Sequence, residues 1–406
     1  MSLIDDISDP ICWEKFYDYK TSLSCTKRFS GALRTYIDEH RYVDVARRIH
    51  EVEPFPLPSR RVISKMSSQK KRTVYTYPED ENIVLKLLTH LMLRKYDTIY
   101  TPNLYSFRPD KTVKDAIRYL TSVEGIDRMY SYKVDISNYF NSIPVERLIP
   151  ILKSILNDDP ALFDFLTGLL IETRVTDKGA VIEESKGIMA GTPQASFYAD
   201  LYLKDMDRMF YDLGIPYARY SDDIIVFADS REKIEEYADI IREQLGSYGL
   251  SVNQDKESYG TPDDGWVFLG FSYNKGVIDI APASLIKIKA KMRRKTRALK
   301  RWQERGGEAP ERAAAAFIRI FDRKLFEQES DNDLPSDNDL TWSKWYFPVI
   351  NTVAGLRQID HYAQECVRYL LTSTRSKARY RVKYKDIKDY GLRSLVNEYY
   401  KTADQA

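Results

Sequence analysis

Asp222 and Asp223 sit side by side in Tyr217-Ala218-Arg219-Tyr220-Ser221-Asp222-Asp223-Ile224-Ile225-Val226-Phe227, a run of aromatic and β-branched residues. Such a run reads as a buried β-hairpin. Ionised carboxylates in a buried strand pair cost several kcal/mol unless something compensates them. A divalent cation held by both would do so, and hard oxygen ligands suit Mg²⁺. A polar hairpin turn with Asp in the turn positions is the other reading this segment allows. A third acid, Asp135, closes the apolar run Met129 to Ile136 far upstream. An acid at one strand end can meet a two-Asp hairpin on the neighbouring strand, and carboxylates so placed make a two-metal site. One ion would lower the pKa of an attacking hydroxyl, and the other would hold a triphosphate and stabilise the leaving pyrophosphate. Between the acids lies a Gly-rich turn, Gly187-Ile188-Met189-Ala190-Gly191-Thr192-Pro193-Gln194.

The elements that must position these residues are legible in outline. Residues 1 to about 66 read as helix anchored by Trp13, Phe16, Tyr17 and Tyr19, broken at Pro54-Phe55-Pro56-Leu57-Pro58 because closely spaced prolines prevent continuous helix. A basic segment, Lys70-Lys71-Arg72, runs into the β-type alternation Val74 to Tyr77. Asn82 to Tyr96 has helical periodicity through Ile83, Leu85, Leu87, Leu88 and Leu91. Helix is also expected at about Thr112 to Thr121, Val145 to Leu156, Ala195 to Tyr211 and Ile234 to Tyr248. A short strand pair is expected around Gly179, a strand or turn at Val252 to Lys256, and a hairpin arm at Phe268 to Tyr273. Strands and helices alternate without regular βαβ spacing, which predicts an α+β fold with an antiparallel sheet and helices on one face.

Beyond Pro282 the pattern becomes helical. Lys287 to Arg301 contains nine Lys and Arg residues and no acid. A solvated face is the ordinary meaning of such a run, yet charge of one sign this dense repels itself unless a polyanion lies against it. Gly306-Gly307 and the acidic stretch Glu329 to Asp339 read as connectors. Trp342, Trp345 and Tyr346 precede an apolar helix from Val349 to Leu371. Arg375 to Lys401 is again basic, with Tyr380, Tyr384, Tyr390, Tyr399 and Tyr400 interleaved, a mixture suited to phosphate contact and base stacking.

Over the whole chain of 406 residues, 62 Lys and Arg nearly cancel 60 Asp and Glu, so the uneven distribution carries the information and the net charge does not. Three cysteines and four histidines make no paired or clustered pattern, which argues against structural zinc and fits a reducing cytosol. Met1 to Pro10 lacks the apolar core of a signal peptide, and no apolar stretch approaches a membrane span. The expectation is a cytoplasmic protein with no membrane partner.

The ordered motifs resemble the reverse transcriptase family over about residues 66 to 280. Val134-Asp135-Ile136-Ser137-Asn138-Tyr139-Phe140 is similar to the first palm motif, Gly191-Thr192-Pro193-Gln194-Ala195-Ser196 to the second, and Tyr220-Ser221-Asp222-Asp223 to the YxDD box. Asn253-Gln254-Asp255-Lys256 resembles the lysine-bearing motif that follows, and Phe268-Leu269-Gly270-Phe271 the primer-grip hairpin. Upstream, Lys70-Lys71-Arg72 and Ser106-Phe107-Arg108-Pro109 are similar to fingers motifs of bacterial and group II intron enzymes. The resemblance implies a right-hand polymerase: a helical N-terminal extension (1–66), fingers and palm (67–280), and an all-helical basic thumb (281–406).

The same resemblance implies roles. Asp135 and Asp222 become ligands of two Mg²⁺ ions, with Mn²⁺ as a substitute; the Ile136 carbonyl adds a backbone ligand and Asp223 completes the charge. Phe140 takes the position of a steric gate, where a flat ring under the sugar would clash with a 2′-hydroxyl and favour dNTPs; Tyr139 is the rival. Gln194 would orient the incoming nucleotide or the template. The family usually has glycine after this glutamine, and Ala195 in its place puts template fit at that turn in question. Lys71, Arg72 and Arg108 are candidates for the triphosphate, since cations there neutralise charge that moves during transfer. Lys256 would protonate the pyrophosphate or form a structural ion pair. Lys287, Lys291, Arg294, Arg297 and Arg301 would lie along a nucleic-acid duplex.

A Cys/His-rich endonuclease segment and a set of RNase H acids are not found, nor is the retron element Asn-Ala-x-x-His before Asp135. These observations point to the stand-alone, defence-associated bacterial enzymes related to abortive infection. The expected partners are a structured non-coding RNA, dNTPs and a DNA product or RNA–DNA hybrid, with self-association left open. Template-independent or tyrosine-primed synthesis, a retron or group II intron type of enzyme, an RNA-dependent RNA polymerase and a non-catalytic RNA scaffold are the alternatives.

Overall fold

The computed structural model describes residues 2–22, 25, 27–64, 71–185, 187–326 and 341–403. They form two compact units, 1–262 and 263–406. The expected connector Glu329 to Asp339 and Lys70 of the basic segment lie outside the described residues.

The first unit opens with helices α1 (Leu3–Asp6), α2 (Pro10–Ser22), α3 (Lys27–Asp38) and α4 (Tyr42–His50). Trp13, Tyr36 and Tyr42 pack their rings together, and all three are fully buried. Helix ends at His50, short of the expected residue 66. The proline segment hands over to strand β1 (Ser59–Ser64), which pairs antiparallel with β2 (Lys71–Thr76) and parallel with β4 (Arg174–Asp177). With β5 (Ala180–Glu183) these make a sheet of order β2-β1-β4-β5. A strand here satisfies the backbone of an exposed arm through its neighbours, which local helical propensity does not foretell.

Next come α5 (Glu79–Lys95) and α6 (Val113–Ser122), the latter started by a capping box between Thr112 and Asp115. Strand β3 (Tyr130–Asp135) leads to α7 (Tyr139–Ser142), α8 (Val145–Ile155) and α9 (Pro160–Ile171). The expected helix Ala195 to Tyr211 is interrupted at Leu203, giving α10 (Ala195–Tyr202) and α11 (Lys204–Asp212). Strands β6 (Tyr217–Tyr220) and β7 (Asp223–Ala228), helix α12 (Arg231–Ser247) and β8 (Ser258–Gly260) complete the unit. The central sheet has the order β6-β7-β3-β8 and is antiparallel throughout.

One core binds the extension to this sheet: Trp13, Leu33 and Val45 belong to the same buried cluster as Tyr132, Val134, Ile224 and Val226. Asp159 adds a polar tie. Its carboxylate caps α9 through the Leu162 N–H and also accepts from the Ser2 hydroxyl and the Leu3 N–H at the start of α1.

The second unit holds a small antiparallel sheet of order β9-β10-β11, from β9 (Trp266–Phe268), β10 (Phe271–Asn274) and β11 (Val277–Ile280). Helices α13 (Pro282–Gly306), α14 (Pro310–Leu325), α15 (Trp342–Tyr346), α16 (Ala354–Thr372), α17 (Ala378–Arg381), α18 (Tyr384–Asp389) and α19 (Leu395–Ala403) follow. The sheet is stitched to α16: the Gly355 N–H donates to the Asp279 carboxylate at 3.0 Å, and Asn351 bonds Ile278 through both backbone and side chain. Gly307 closes α13 at φ +62, so this part of the expected connector is a helix cap. No described helix is long and apolar enough to cross a membrane.

Candidate active site

Strand register brings the acids together. Asp135 lies directly opposite Asp223 in the β3–β7 ladder, and Tyr220 pairs with Asp223 to leave Ser221-Asp222 as a two-residue hairpin loop. Ser221 takes φ +58, the conformation that such a loop needs at its first position. The Ile136 N–H donates to the Asp222 carbonyl at 3.0 Å, locking the hairpin to the end of β3. Ligand oxygens of Asp135, Asp222 and Asp223 all fall within 4.8 Å of one another.

That crowding has an electrostatic cost. Burial, then the charges of Asp135 and Asp223, push the Asp222 carboxyl up to about 6. The Lys256 ammonium is hydrogen-bonded to Asp135, and Lys133 lies 3.8 Å from Asp223. Two lysines thus offset part of the negative charge of three acids. The donor set fits a hard divalent cation: only carboxylate oxygens, closely spaced and short of positive charge. Lys256 is held in an ion pair with the Asp135 carboxylate.

Beside the acids lies an aromatic platform. Phe140 stands edge-on to Phe107 at 6.5 Å, Phe107 lies 6.3 Å from Tyr220, and the Arg72 guanidinium sits 6.0 Å over Phe140. Tyr139, the rival gate position, is fully buried and donates its hydroxyl to the Ala199 carbonyl at 2.5 Å. It is a core residue, so only Phe140 of the two is half-exposed at this edge. Alternation along β2 turns Lys71 to the opposite face from Arg72, and the structure brings Arg72 alone to the platform.

Arg108 does not belong to this group. Its guanidinium forks onto the Asp97 carboxylate at 2.8 Å through both Nε and Nη2, and its remaining N–H groups reach the carbonyls of Thr101, Leu104 and Asp97. All five donors of an arginine are then occupied, and none is left for a triphosphate. Its work is to lock a corner of chain. Asn103 to Tyr105 runs along β6, Ser106 donates to Asp200, and Phe107 at φ +54 is turned toward Phe140 and Tyr220. The motif Ser106 to Pro109 matters here through its phenylalanine.

Gln194 is 1% exposed, and neither amide atom makes a hydrogen bond of ordinary length. It lies against Tyr77, whose hydroxyl its amide influences. Ala195 is buried at the start of α10 within the main core, so its methyl group points into packing. The Gly-rich turn before it is held from two sides: Ile188 N–H donates to the Phe140 carbonyl at 2.9 Å, and Tyr75 N–H to the Ala190 carbonyl at 2.8 Å. A Cβ on Gly187 would meet the Phe140 carbonyl at 2.6 Å.

Sequence reasoning missed the support beneath the hairpin. Arg219 is fully buried and forks onto Asp207 at 2.8 and 2.6 Å, while its other N–H groups reach the carbonyls of Asp200 (3.0 Å) and Ser221 (3.3 Å). Tyr217 donates to the same Asp207 carboxylate at 2.9 Å. Burial pushes the Asp200 carboxyl up to about 8 in spite of Arg219 and Ser106. The available signal was an arginine in the middle of an otherwise apolar strand, with acids on the preceding helices.

The family model described as "Reverse transcriptase (RNA-dependent DNA polymerase)" matches residues 63–273, just over half of the chain. The chain belongs to the reverse transcriptase family. As a reverse transcriptase it carries a nucleotidyltransferase domain, with the three acids, Gln194 and Lys256 all inside the matched range. Protein YkfC of Escherichia coli (strain K12) is 23% identical over 254 residues, covering 53% of this chain and 66% of YkfC. Among solved structures, apo telomerase from Candida tropicalis, truncated from its C-terminal domain, aligns with a TM-score of 0.46 and 13% identity over 56% of this chain and 55% of that one. Telomerase from Candida albicans in complex with a fragment of telomeric RNA aligns at 0.44 and 14%, over 82% and 62%. The chain thus spans between about half and two thirds of the length of these relatives.

In the second unit, Lys287, Arg294, Arg297 and Arg301 are exposed along α13, with Lys291 half-exposed among them. Their spacing keeps all five within one stripe of the helix, opposite Leu285, Ile288, Met292 and Leu299, which are buried. Two other bases of the run are engaged within the unit: Lys300 is buried and donates to Gln303 and Ser373, and Lys289 donates to Gln358.

Proposed function

We propose that this reverse transcriptase copies RNA into DNA from dNTPs at the Asp135, Asp222 and Asp223 centre. The observation that carries the reading is the convergence of three carboxylates within 4.8 Å, two of them brought by strand register and one by a tight hairpin. Asp135 and Asp222, with the Ile136 carbonyl, would hold two Mg²⁺ ions, or Mn²⁺ in their place, whose chemistry when bound is to acidify the primer hydroxyl and balance the leaving pyrophosphate. Around them, Phe140 lies under the sugar and excludes a 2′-hydroxyl, and Arg72 beside it neutralises triphosphate charge. Lys256, once released from Asp135, stands ready to protonate pyrophosphate. Gln194 braces the turn that borders the template. The five-residue basic stripe of α13 runs along the duplex phosphates as part of the thumb (281–406); the extension (1–66) and the fingers and palm (67–280) are the other two domains of the reading.

Incorporation of labelled dNTP on a primed RNA tests the reading. Activity with dNTPs exceeding that with NTPs is expected, and Asp222→Asn should abolish it. Identical behaviour of Asp222→Asn and the unaltered protein would sink the assignment of the site.

The template is proposed to be a dedicated structured RNA, in a cytoplasmic antiphage setting, on the strength of the fingers motifs and the missing retron element before Asp135. Sequencing the nucleic acid that copurifies with the protein, before and after dNTP addition, would identify RNA and product together. Tyrosine-primed synthesis is the second reading, favoured by the exposure of Tyr380 (78%) in a basic segment. DNA that remains on the protein after phenol extraction would decide for it.

A further inference from the structure

Away from the acids, α5 carries Lys86, His90 and Arg94 at four-residue intervals, which places them on one stripe of the helix. The end of α2 brings Tyr19 and Lys20 over this stripe, and α3 brings Phe29. The Arg94 guanidinium lies 4.4 Å over the Tyr19 ring, and Lys20 Nζ sits 5.4 Å from that ring and 5.3 Å from Phe16. Lys86 Nζ is 4.9 Å over Phe29, and the His90 ring packs 4.4 Å from Tyr19.

Among the described residues no carboxylate forms an ion pair with Lys20, Lys86 or Arg94. The chain from Tyr19 to Ile37 contains no acid at all, so the undescribed residues of that segment supply none. Burial lowers the pKa of both lysines; for Lys20 the neighbours Lys86 and Arg94 lower it further, while for Lys86 the Glu79 carboxylate opposes the shift. His90, pushed down to about 3 chiefly by burial, is neutral and pairs through Nδ1 with Arg94 at 2.8 Å. With Nδ1 as the acceptor from a guanidinium, Nε2 carries the proton and is a further donor. Three clustered cations, offset in part by Glu79 on α5 but ion-paired with no described carboxylate, are costly in the free protein, and an anion seated among them would relieve that cost.

We infer that Lys20, Lys86, His90 and Arg94 form a phosphate-binding site for the backbone of single-stranded RNA, separate from the polymerase centre. Cations interleaved with aromatic rings are the composition that tracks a single strand. The choice of RNA rests on the RNA-templated function proposed above.

The test is the salt dependence of binding to a fluorescein-labelled single-stranded oligoribonucleotide, read by anisotropy. For Lys20→Gln/Lys86→Gln/Arg94→Gln the slope of log K against log salt should flatten by about 2, at about 0.7 per phosphate lost. Affinity at moderate salt should fall roughly ten- to a hundredfold. Lys20→Arg/Lys86→Arg, which keeps the charges, should retain the slope, and the triple Gln variant should melt no lower than the unaltered protein. An unchanged slope in the triple variant overturns the inference, as does an equal loss in the charge-preserving variant. Stabilisation by tripolyphosphate with no change in RNA binding would likewise overturn it, by making this a site for free polyphosphate. dNTP incorporation by the unaltered protein is measured in parallel: its presence with an unchanged slope refutes this site alone, and its absence on every RNA refutes the function itself.

Discussion

Among the three clustered acids, Asp222 is held above the ordinary carboxylate range first by burial and then by the charges of Asp135 and Asp223. Its folded-state pKa of about 6 lies above the ordinary 3.8, so the metal-free fold disfavours the ionised form. Stability from this group is therefore complete below about pH 4 and is lost as pH rises through about 6. A divalent cation reverses the sign by binding the ionised form. The rise in melting temperature on adding Mg²⁺ should accordingly be larger at pH 7.5 than at pH 5.5, and Asp222→Asn should flatten the difference. In primer extension the same substitution should cost at least about 10²- to 10³-fold, the scale for losing one preorganised electrostatic group. Phe140→Ala should reduce discrimination of dNTP over NTP by roughly 10- to 100-fold, checked by competing the two substrates on one template.

The acids were legible in sequence because charge in an apolar strand demands an explanation. Arg108 was misleading for the converse reason: its partner Asp97 comes from a corner that only the folded chain makes. Arg219 drew no reading of its own from the sequence, because nothing local shows that Asp200 and Asp207 on the preceding helices converge on it.

At the scale of elements, the hairpin and the turn 187–194 do the positioning. Gly187→Ala places a Cβ within 2.8 Å of the backbone at Phe140 and Asn141, at φ +52. The turn must then shift together with Phe140, and a loss of about 1–3 kcal/mol in chemical unfolding is expected, with weaker sugar discrimination. Arg219→Lys removes the fork onto Asp207 and the contact to the Ser221 carbonyl. It should raise the Mg²⁺ concentration needed for half-maximal incorporation, a readout that simple loss of stability would not move. The apolar run of α5 revealed that helix, although it is buried around most of its circumference, and periodicity revealed α8 and α12 to within a few residues, since each has a clear buried face. It did not reveal α9, whose apolar residues surround the helix, although Asp159-Pro160 is a start signal. Nor did it reveal β1, whose strand state depends on β2 and β4.

For the whole molecule, the uneven charge noted in the sequence resolves into separate cationic surfaces, the α13 stripe in one unit and the α5 stripe in the other. Lys287→Gln/Arg294→Gln/Arg301→Gln should flatten the salt dependence of RNA–DNA hybrid binding by about 1 per charge, with little effect on single-strand binding. The chain also partitions in a way that motif order does not announce. The stretch by which the family is recognised stops at residue 273, inside β10, whereas the compact units part at 262/263. Trimming the protein to its recognisable domain would strip β11 from β10 and bare a ladder of unpaired backbone groups, an invitation to stick to other chains. A cut after residue 262 leaves every ladder of the first unit closed. Compared side by side, 1–262 should run as a monodisperse species in size exclusion while 1–273 aggregates. Inheritance and self-sufficiency draw different borders on this polypeptide, and anyone dividing it should follow the second.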